Sequence, residues 1–130
     1  MNNNNIFPPG FEKDKKNLAI DFDGVIHDWS MGWHDGTCYG EPIKGSLEAI
    51  KYLSKDFTII IFSAKCKQDR PLVKGKTGKE LVTEWLEKYG VLDYVDEITH
   101  EKPRAVLYID DNAYRFDSWT KTLSFIKKTL

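Results

Sequence analysis

Three short runs of apolar residues in the chain end in polar or acidic side chains. The runs occupy residues 17–22, 57–62 and 105–109, and residues 97–99 form a shorter, more mixed segment. Continuous apolar and β-branched runs of this length are typical of strands that are buried on both faces inside a parallel sheet. We therefore expect four strands, with 57–62 giving the strongest signal.

Two stretches between these runs have the spacing of amphipathic helices. Residues 43–55 carry apolar side chains three and four positions apart, with Ser46 near the expected start. Residues 77–89 show the same pattern and are followed by Gly90, a residue type that commonly ends helices. For the tail 118–130, the sequence does not decide between a strand, a helix or both. The alternation of strands and helices predicts an α/β fold, namely a three-layer α/β sandwich with a mostly parallel, Rossmann-like sheet.

The length of 130 residues suits one domain with its own hydrophobic core. Residues 1–14 are rich in Asn and contain Pro-Pro-Gly, so we expect a flexible N-terminal arm followed by a single domain over residues 15–130. Basic and acidic residues nearly cancel, with a formal net charge of -1, which argues against a dedicated nucleic-acid or membrane binder. A nucleic acid therefore enters only as a candidate substrate.

Neither a membrane span nor a secretory signal is predicted. No apolar stretch has the length of a membrane-spanning helix, and the first residues lack the basic start and apolar run of a signal peptide. The two cysteines, Cys38 and Cys66, do not indicate a disulfide framework in a chain of this size. We expect a reduced, cytoplasmic protein.

Polar side chains follow three of the predicted strands at the points where the strands end. Asp21 and Asp23 follow the first strand, Ser63 follows the second, and Asp110 and Asp111 follow the last. In open parallel sheets, ligands bind beyond the carboxyl ends of the strands. We therefore expect four carboxylates and a hydroxyl group around one crevice.

Four converging carboxylates require a cation, because they repel one another and raise one another's pKa values. Mg²⁺ prefers hard oxygen ligands and is the predicted cofactor. Lys102 precedes the last acidic pair and is expected to bring a second positive charge to the crevice. These charges suit phosphoryl transfer, since an attacking carboxylate and a phosphate group are both negative. A second Asp, two residues on, would protonate the leaving oxygen and later activate water.

The order of these residues resembles the four motifs of the haloacid dehalogenase superfamily. The matching segments are Asp21-Phe22-Asp23-Gly24-Val25, Ser63 after an apolar strand, Lys102-Pro103, and Asp110-Asp111 after another apolar strand. The resemblance covers residues 17–112, and each motif lies at or near a predicted strand end. It implies a haloacid dehalogenase-like fold and a Mg²⁺-dependent phosphomonoesterase that works through an aspartyl-phosphate.

The resemblance also implies a role for each matching residue. Asp21 is implied to be the covalent nucleophile and Asp23 the general acid/base. Phosphate binding is implied for three residues at the end of the second predicted strand, Ser63, Ala64 and Lys65. Lys102 is implied to steady both the phosphate and the nucleophile, and it counts with Ser63 among the catalytic residues. Mg²⁺ is implied to bind Asp21, the backbone carbonyl of Asp23 and the last acidic pair, Asp110 and Asp111, with Asp111 favoured as the direct ligand.

A cap domain, which usually selects the substrate in this superfamily, has no room in the chain. The intervals 22–62 and 64–101 are already occupied by predicted elements. The loop 28–40, which contains Trp29, Trp33 and Tyr39, is the nearest candidate for a small flap. A neighbouring subunit or a large substrate would also cover such an open site. The phosphate ester remains undefined: a nucleotide, a polynucleotide end, a sugar or a phosphoprotein.

Two other functions are compatible with some of these residues. A receiver-like, phospho-accepting signalling domain has a similar size and architecture, but in this chain the hydroxyl precedes the lysine and the acidic pair comes last. A non-catalytic phosphate-binding domain is the second alternative. A zinc site made from His27, His34, Asp35 and Cys38 matches no common ligand spacing, so these side chains are interpreted as polar loop residues.

Overall fold

A four-stranded parallel sheet organises the fold. The structure is a computed structural model that describes residues 16–130, so the predicted arm over residues 1–14 lies outside the described residues. The strands are β1 (Asn17–Asp21), β2 (Thr58–Phe62), β3 (Glu97–Thr99) and β4 (Leu107–Ile109), in the order β3-β2-β1-β4. All three neighbouring pairs run parallel. The predicted α/β class and the mostly parallel sheet are confirmed.

Three α-helices accompany the sheet: α1 (Ser46–Leu53), α2 (Gly78–Lys88) and α3 (Trp119–Thr129). Helix α1 begins at Ser46, in agreement with the expected start, and Gly45 before it has a left-handed backbone with φ 85. Helix α2 matches its prediction and begins with a capping box, in which Thr77 and Glu80 exchange side-chain-to-backbone hydrogen bonds. In the tail, the Ser118 hydroxyl accepts a hydrogen bond from a backbone N–H of the first turn, which favours a helix there over a strand.

The hydrophobic core joins one face of the sheet to α1 and α2. Alternate residues of β1 and β2 point into it, and Ile50 of α1 and Leu86 of α2 pack against them. The strand residues concerned are Leu18, Ile20, Ile59 and Ile61. Since the register pairs Leu18 with Ile59 and Ile20 with Ile61, these side chains form a continuous apolar surface on which both helices pack.

Helix α3 differs from the other two helices. It contains no buried residue, and its apolar side chains, among them Trp119 and Leu123, are largely exposed. None of the helices in the part of the chain that the structure describes combines the length and the apolar character needed to cross a membrane.

The register of the sheet determines which residues meet at its carboxyl edge. Asp21 is the last residue of β1 and pairs with Phe62, so Ser63 lies one residue beyond it on β2. On the other side of β1, Ile20 pairs with Ile109, which places Asp110 next to Asp21. The end of β1 therefore lies between Ser63, which follows β2, and the acidic pair Asp110 and Asp111, which follows β4.

Candidate active site

Three carboxylates converge at the ends of β1 and β4. Asp21, Asp110 and Asp111 each offer one oxygen, and these oxygens all lie within 4.8 Å of one another. The Asp110 side chain is also fixed by the backbone, since its Oδ1 accepts a hydrogen bond of 2.8 Å from the Asn112 backbone N–H. Both members of the acidic pair thus face Asp21, and both remain candidates for direct contact with a cation.

Gly24 makes room for this cluster. Its backbone is left-handed, with φ 83, and a Cβ atom at this position would overlap the Oδ2 oxygen of Asp111. Any residue other than glycine would be strained by its backbone and would also push the Asp111 carboxylate away. The glycine of the first motif therefore lets the turn after β1 approach the acidic pair of β4.

The electrostatic environment of Asp21 disfavours its charged form in the metal-free protein. Burial raises the pKa of Asp21 from 3.8 to about 7, although a hydrogen bond from the Phe22 backbone N–H opposes the change. The negative charges of Asp110, Asp111 and Asp23 contribute to this raised value, each less than burial does. A cation bound among these oxygens would remove the repulsion, so the cluster has the donor atoms and the unmet charge that a hard metal ion requires.

We expect Asp21→Asn to stabilise the metal-free protein in a pH-dependent way. Because the folded-state pKa lies above the unfolded value, wild-type stability falls as the pH rises from about 4 to about 7 and then levels off. The variant avoids this loss. Its free energy of unfolding at pH 8 should exceed that of wild type by on the order of 1–2 kcal/mol, a value reduced because the carboxylate is partly exposed to solvent. Urea denaturation in EDTA at pH 8 and at pH 4.5 measures the difference, which should shrink at the lower pH. An equal difference at both values would contradict the account.

The side chain of Asp23 is held by a histidine. Its Oδ1 lies 2.9 Å from Nδ1 of His27, and Nε2 of His27 lies 2.8 Å from the backbone nitrogen of Gly40. Since the Gly40 N–H can only donate, Nε2 must carry no proton. The proton of the neutral imidazole therefore resides on Nδ1, from which it is donated to Asp23.

His27 is the site residue that the sequence interpretation missed. It is fully buried, not a solvated loop residue, and its ring stacks on Phe22 with an interplanar angle of 4°. Trp85 and Tyr39 contact it edge-on. The available signal was its position four residues after Asp23 and directly after two apolar residues, Val25 and Ile26, which a solvated loop rarely contains.

A buried lysine lies on the other side of Asp23. Lys65 is 4% exposed, and its ammonium nitrogen is 3.7 Å from Oδ2 of Asp23. The same nitrogen lies over two aromatic rings, 4.2 Å from the centroid of Trp29 and 4.9 Å from that of Trp33. It has no hydrogen-bond partner among the described residues. A buried ammonium group whose donors are unused is costly, so this cation is well placed to take an incoming anionic oxygen.

The aromatic loop over residues 28–40 is closed at its base and reaches the site through its tryptophans. The Asp28 backbone N–H donates to the carbonyl of Glu41, and the Tyr39 hydroxyl donates to the Gly32 carbonyl within the loop. Trp29 and Trp33 then cover the Lys65 ammonium. The prediction that this loop acts as a small flap over the site stays a prediction.

Ser63 lies at the carboxyl end of β2 as predicted, but it is nearly fully buried. Its backbone N–H donates to the Thr99 carbonyl at 2.9 Å, and its Oγ accepts from the Lys65 backbone N–H at 3.2 Å. The hydroxyl thus begins the short 3-10 helix Ala64–Cys66 and fixes the direction of Lys65. The hydroxyl proton is not used by this bond.

Lys102 is exposed, and the structure does not place it with the carboxylates. Its ammonium nitrogen lies 4.4 Å from the ring centroid of Tyr108, whose hydroxyl donates to the Pro103 carbonyl. No ion pair of Lys102 is seen within residues 16–130. The buried cation beside Asp23 is Lys65, for which the sequence predicts only phosphate contacts.

A cavity of about 340 Å³ lies beyond the Ser63 turn, and its lining includes three basic side chains, Lys67, Arg70 and Lys79.

The cysteines are poor nucleophiles, because burial raises the pKa of Cys66 to about 11 and that of Cys38 to about 12. Among residues 16–130, His27, His34, Asp35 and Cys38 do not form a group that could hold a metal ion.

Comparison of the chain with protein-family models, with curated proteins and with solved structures gives no match.

Proposed function

We propose that the protein is a Mg²⁺-dependent phosphomonoesterase of the haloacid dehalogenase type. The observation that carries the proposal is the meeting of Asp21 with Asp110 and Asp111 at one edge of a parallel sheet. Support also comes from Asp23, two residues after the proposed nucleophile, whose side chain is oriented from behind by His27. The finer fold, a three-layer sandwich of the haloacid dehalogenase type without a cap domain, belongs to this proposal.

In the proposed reaction, an oxygen of Asp21 attacks the phosphorus of the ester. The bond between phosphorus and the leaving oxygen breaks, and Asp23 supplies the proton that converts the leaving group into an alcohol. Asp23, now a carboxylate, then takes a proton from a water molecule whose oxygen attacks the phosphorus of the aspartyl-phosphate. The bond between Asp21 and phosphorus breaks, and inorganic phosphate leaves with both side chains restored.

Phosphate oxygens are proposed to bind at the end of β2. The Ser63 hydroxyl proton and the Ala64 backbone N–H would donate to them, and Lys65 would add a buried positive charge. Lys102 is proposed to turn from the Tyr108 ring towards the phosphate when substrate is bound. Lys65 is the better supported of the two lysines, because its ammonium group is already buried beside Asp23.

The proposed Mg²⁺ would be held by Asp21, the backbone carbonyl of Asp23 and the acidic pair Asp110 and Asp111. When bound, the ion supplies positive charge that lets a carboxylate approach a phosphate group. The raised pKa of Asp21 supports this assignment, since the cluster needs a cation for all its carboxylates to be charged near neutral pH.

The proposed substrate is a phosphate ester whose leaving group is not yet defined: a nucleotide, a polynucleotide end, a sugar or a phosphoprotein. The basic side chains around the neighbouring cavity would favour an anionic ester. Cover for the open site is proposed to come from the aromatic loop, a neighbouring subunit or the substrate itself. A cytoplasmic location is part of the proposal, and both cysteines are free thiols.

Metal removal tests the proposal. We expect EDTA followed by dialysis to lower the hydrolysis of p-nitrophenyl phosphate by at least about 100-fold, and Mg²⁺ to restore it. Ca²⁺ should restore much less, because it favours longer bonds and more ligands. Circular dichroism of the stripped protein serves as the control for folding. Full activity after stripping would contradict the metal assignment. A wild type that is inactive on phosphate esters with Mg²⁺ present would favour a non-catalytic phosphate-binding domain.

A further inference from the structure

We propose that His27 is a positioning residue that holds one oxygen of Asp23, so that the other oxygen carries the transferred proton. The inference rests on the proposed phosphatase function, because it assigns the two oxygens of the proposed acid/base. It adds a residue that none of the four sequence motifs contains.

The His27 side chain has no freedom to rotate. Its side chain is fully buried, and both ring nitrogens are used, Nδ1 by Asp23 and Nε2 by the Gly40 N–H. The ring is clamped by stacking on Phe22 and by edge contacts with Trp85 and Tyr39. Gly40 is fixed in turn, because its carbonyl accepts a hydrogen bond of 2.9 Å from the Trp85 indole N–H. The Nδ1–H group of His27 therefore points in one fixed direction, towards Asp23.

The two carboxylate oxygens of Asp23 have different neighbours. Oδ1 accepts the hydrogen bond from His27, so a proton on the carboxyl group resides on Oδ2. The Lys65 ammonium is 3.7 Å from Oδ2, which is too long for a hydrogen bond, so Oδ2 keeps a free position for that proton. Lys65 instead places a positive charge beside the oxygen that becomes negative when the proton leaves.

These contacts assign the proton transfers to one atom. As the phosphorus–oxygen bond of the ester breaks, the proton on Oδ2 passes to the leaving oxygen, and the electrons of the broken bond form the new O–H bond. In the second half of the reaction, Oδ2 takes a proton from the attacking water while the bond between Asp21 and phosphorus breaks. His27 stays neutral throughout and keeps its N–H on Oδ1.

A purely structural role for His27 makes a different prediction. Loss of packing would lower the hydrolysis of all esters by a similar factor. Loss of acid positioning would harm esters with poor leaving groups most, because an alkoxide requires the proton and p-nitrophenolate does not. The kcat/KM ratio reports only the steps through phosphoenzyme formation, so it isolates the proton donation.

The experiment compares glycerol 2-phosphate, an alkyl ester, with p-nitrophenyl phosphate, both with Mg²⁺. For His27→Phe, which keeps a ring but donates no hydrogen bond, we expect kcat/KM to fall about 30-fold or more on the alkyl ester and less than about threefold on the aryl ester. For His27→Asn, whose amide can still donate to Asp23, the difference between the esters should be smaller. Thermal unfolding confirms that each variant is folded.

The matched control is His34→Asn. His34 lies in the aromatic loop that follows His27, is exposed, contacts Tyr39 through its ring, and has φ 51, a backbone conformation that asparagine tolerates. This variant should match wild type on both esters. Equal losses on the two esters in His27→Phe, or no loss, would overturn the inference while leaving the phosphatase proposal intact. An inactive wild type would instead overturn the phosphatase function.

A measurement on the wild type keeps the inference testable if the variants do not fold. Nitrogen-15 NMR of the histidine rings at neutral pH should show the His27 proton on Nδ1, and Asp23→Asn should shift that resonance. A proton on Nε2 would overturn the inference, because Nδ1 could not then donate to Asp23.

Discussion

We expect Asp21→Asn to lower the turnover of p-nitrophenyl phosphate by about 10⁴-fold or more, since removal of a covalent nucleophile costs on that order. The amide is nearly the same size as the carboxylate, so the sheet edge keeps its shape. It cannot attack phosphorus to form an acyl phosphate, and it removes one of three converging carboxylates. Stopped and continuous phosphate-release assays with saturating Mg²⁺ measure the effect.

Asp93→Asn is the matched control for this prediction. Asp93 is exposed and lies in the turn that precedes β3, at the opposite edge of the parallel sheet from the site. Its replacement makes the same chemical change and should leave turnover within about twofold, as surface substitutions usually do. Retained activity in Asp21→Asn would remove Asp21 from the nucleophile role.

The second large effect is expected for Gly24→Ala. The new methyl group would overlap Oδ2 of Asp111, so the carboxylate must shift from its place beside Asp21 and Asp110. Even mutations of the groups that orient metal ligands typically cost 10- to 100-fold in affinity for the ion, so the Mg²⁺ concentration for half-maximal activity should rise by about that factor when the Asp111 carboxylate itself is shifted. A titration of activity against Mg²⁺ measures the shift.

Gly32→Ala separates this effect from backbone strain. Gly32 also has a positive φ, 61, but a Cβ atom there would meet nothing within 4 Å. Both substitutions thus place alanine in a left-handed conformation, at a cost of about 1 kcal/mol in stability. Only the change at position 24 should alter the Mg²⁺ requirement. An equal shift in both variants would show that strain, and not Asp111, is responsible.

The strands and the acidic residues could be predicted because their signals are local. An apolar run such as 57–62 is buried whatever its neighbours are, and parallel pairing then brings Asp21 and Asp110 together at one edge. The left-handed backbone of Gly45, which precedes the first helix, is by contrast not encoded by apolar spacing. The role of the Ser118 hydroxyl in starting the last helix was equally open from the sequence.

The surroundings of Asp23 could not be predicted, because they depend on contacts between distant segments. The ammonium group of Lys65 is covered by Trp29 and Trp33, which come from another loop. His27 is held by Gly40, thirteen residues away, and Gly40 is held by Trp85 of α2. A charged or polar residue in a loop is usually solvated, and only the folded chain reveals the exceptions.

The most direct test of the central claim is chemical trapping of the phosphorylated residue. Wild-type protein with Mg²⁺ and a rapidly cleaved phosphate ester is quenched in acid and reduced with borohydride, which converts an aspartyl-phosphate into homoserine. Peptide mass spectrometry should find homoserine at position 21, and Asp21→Asn should give none. Steady hydrolysis by the wild type with no modification at position 21, or with the phosphoryl group on another residue, would contradict the account.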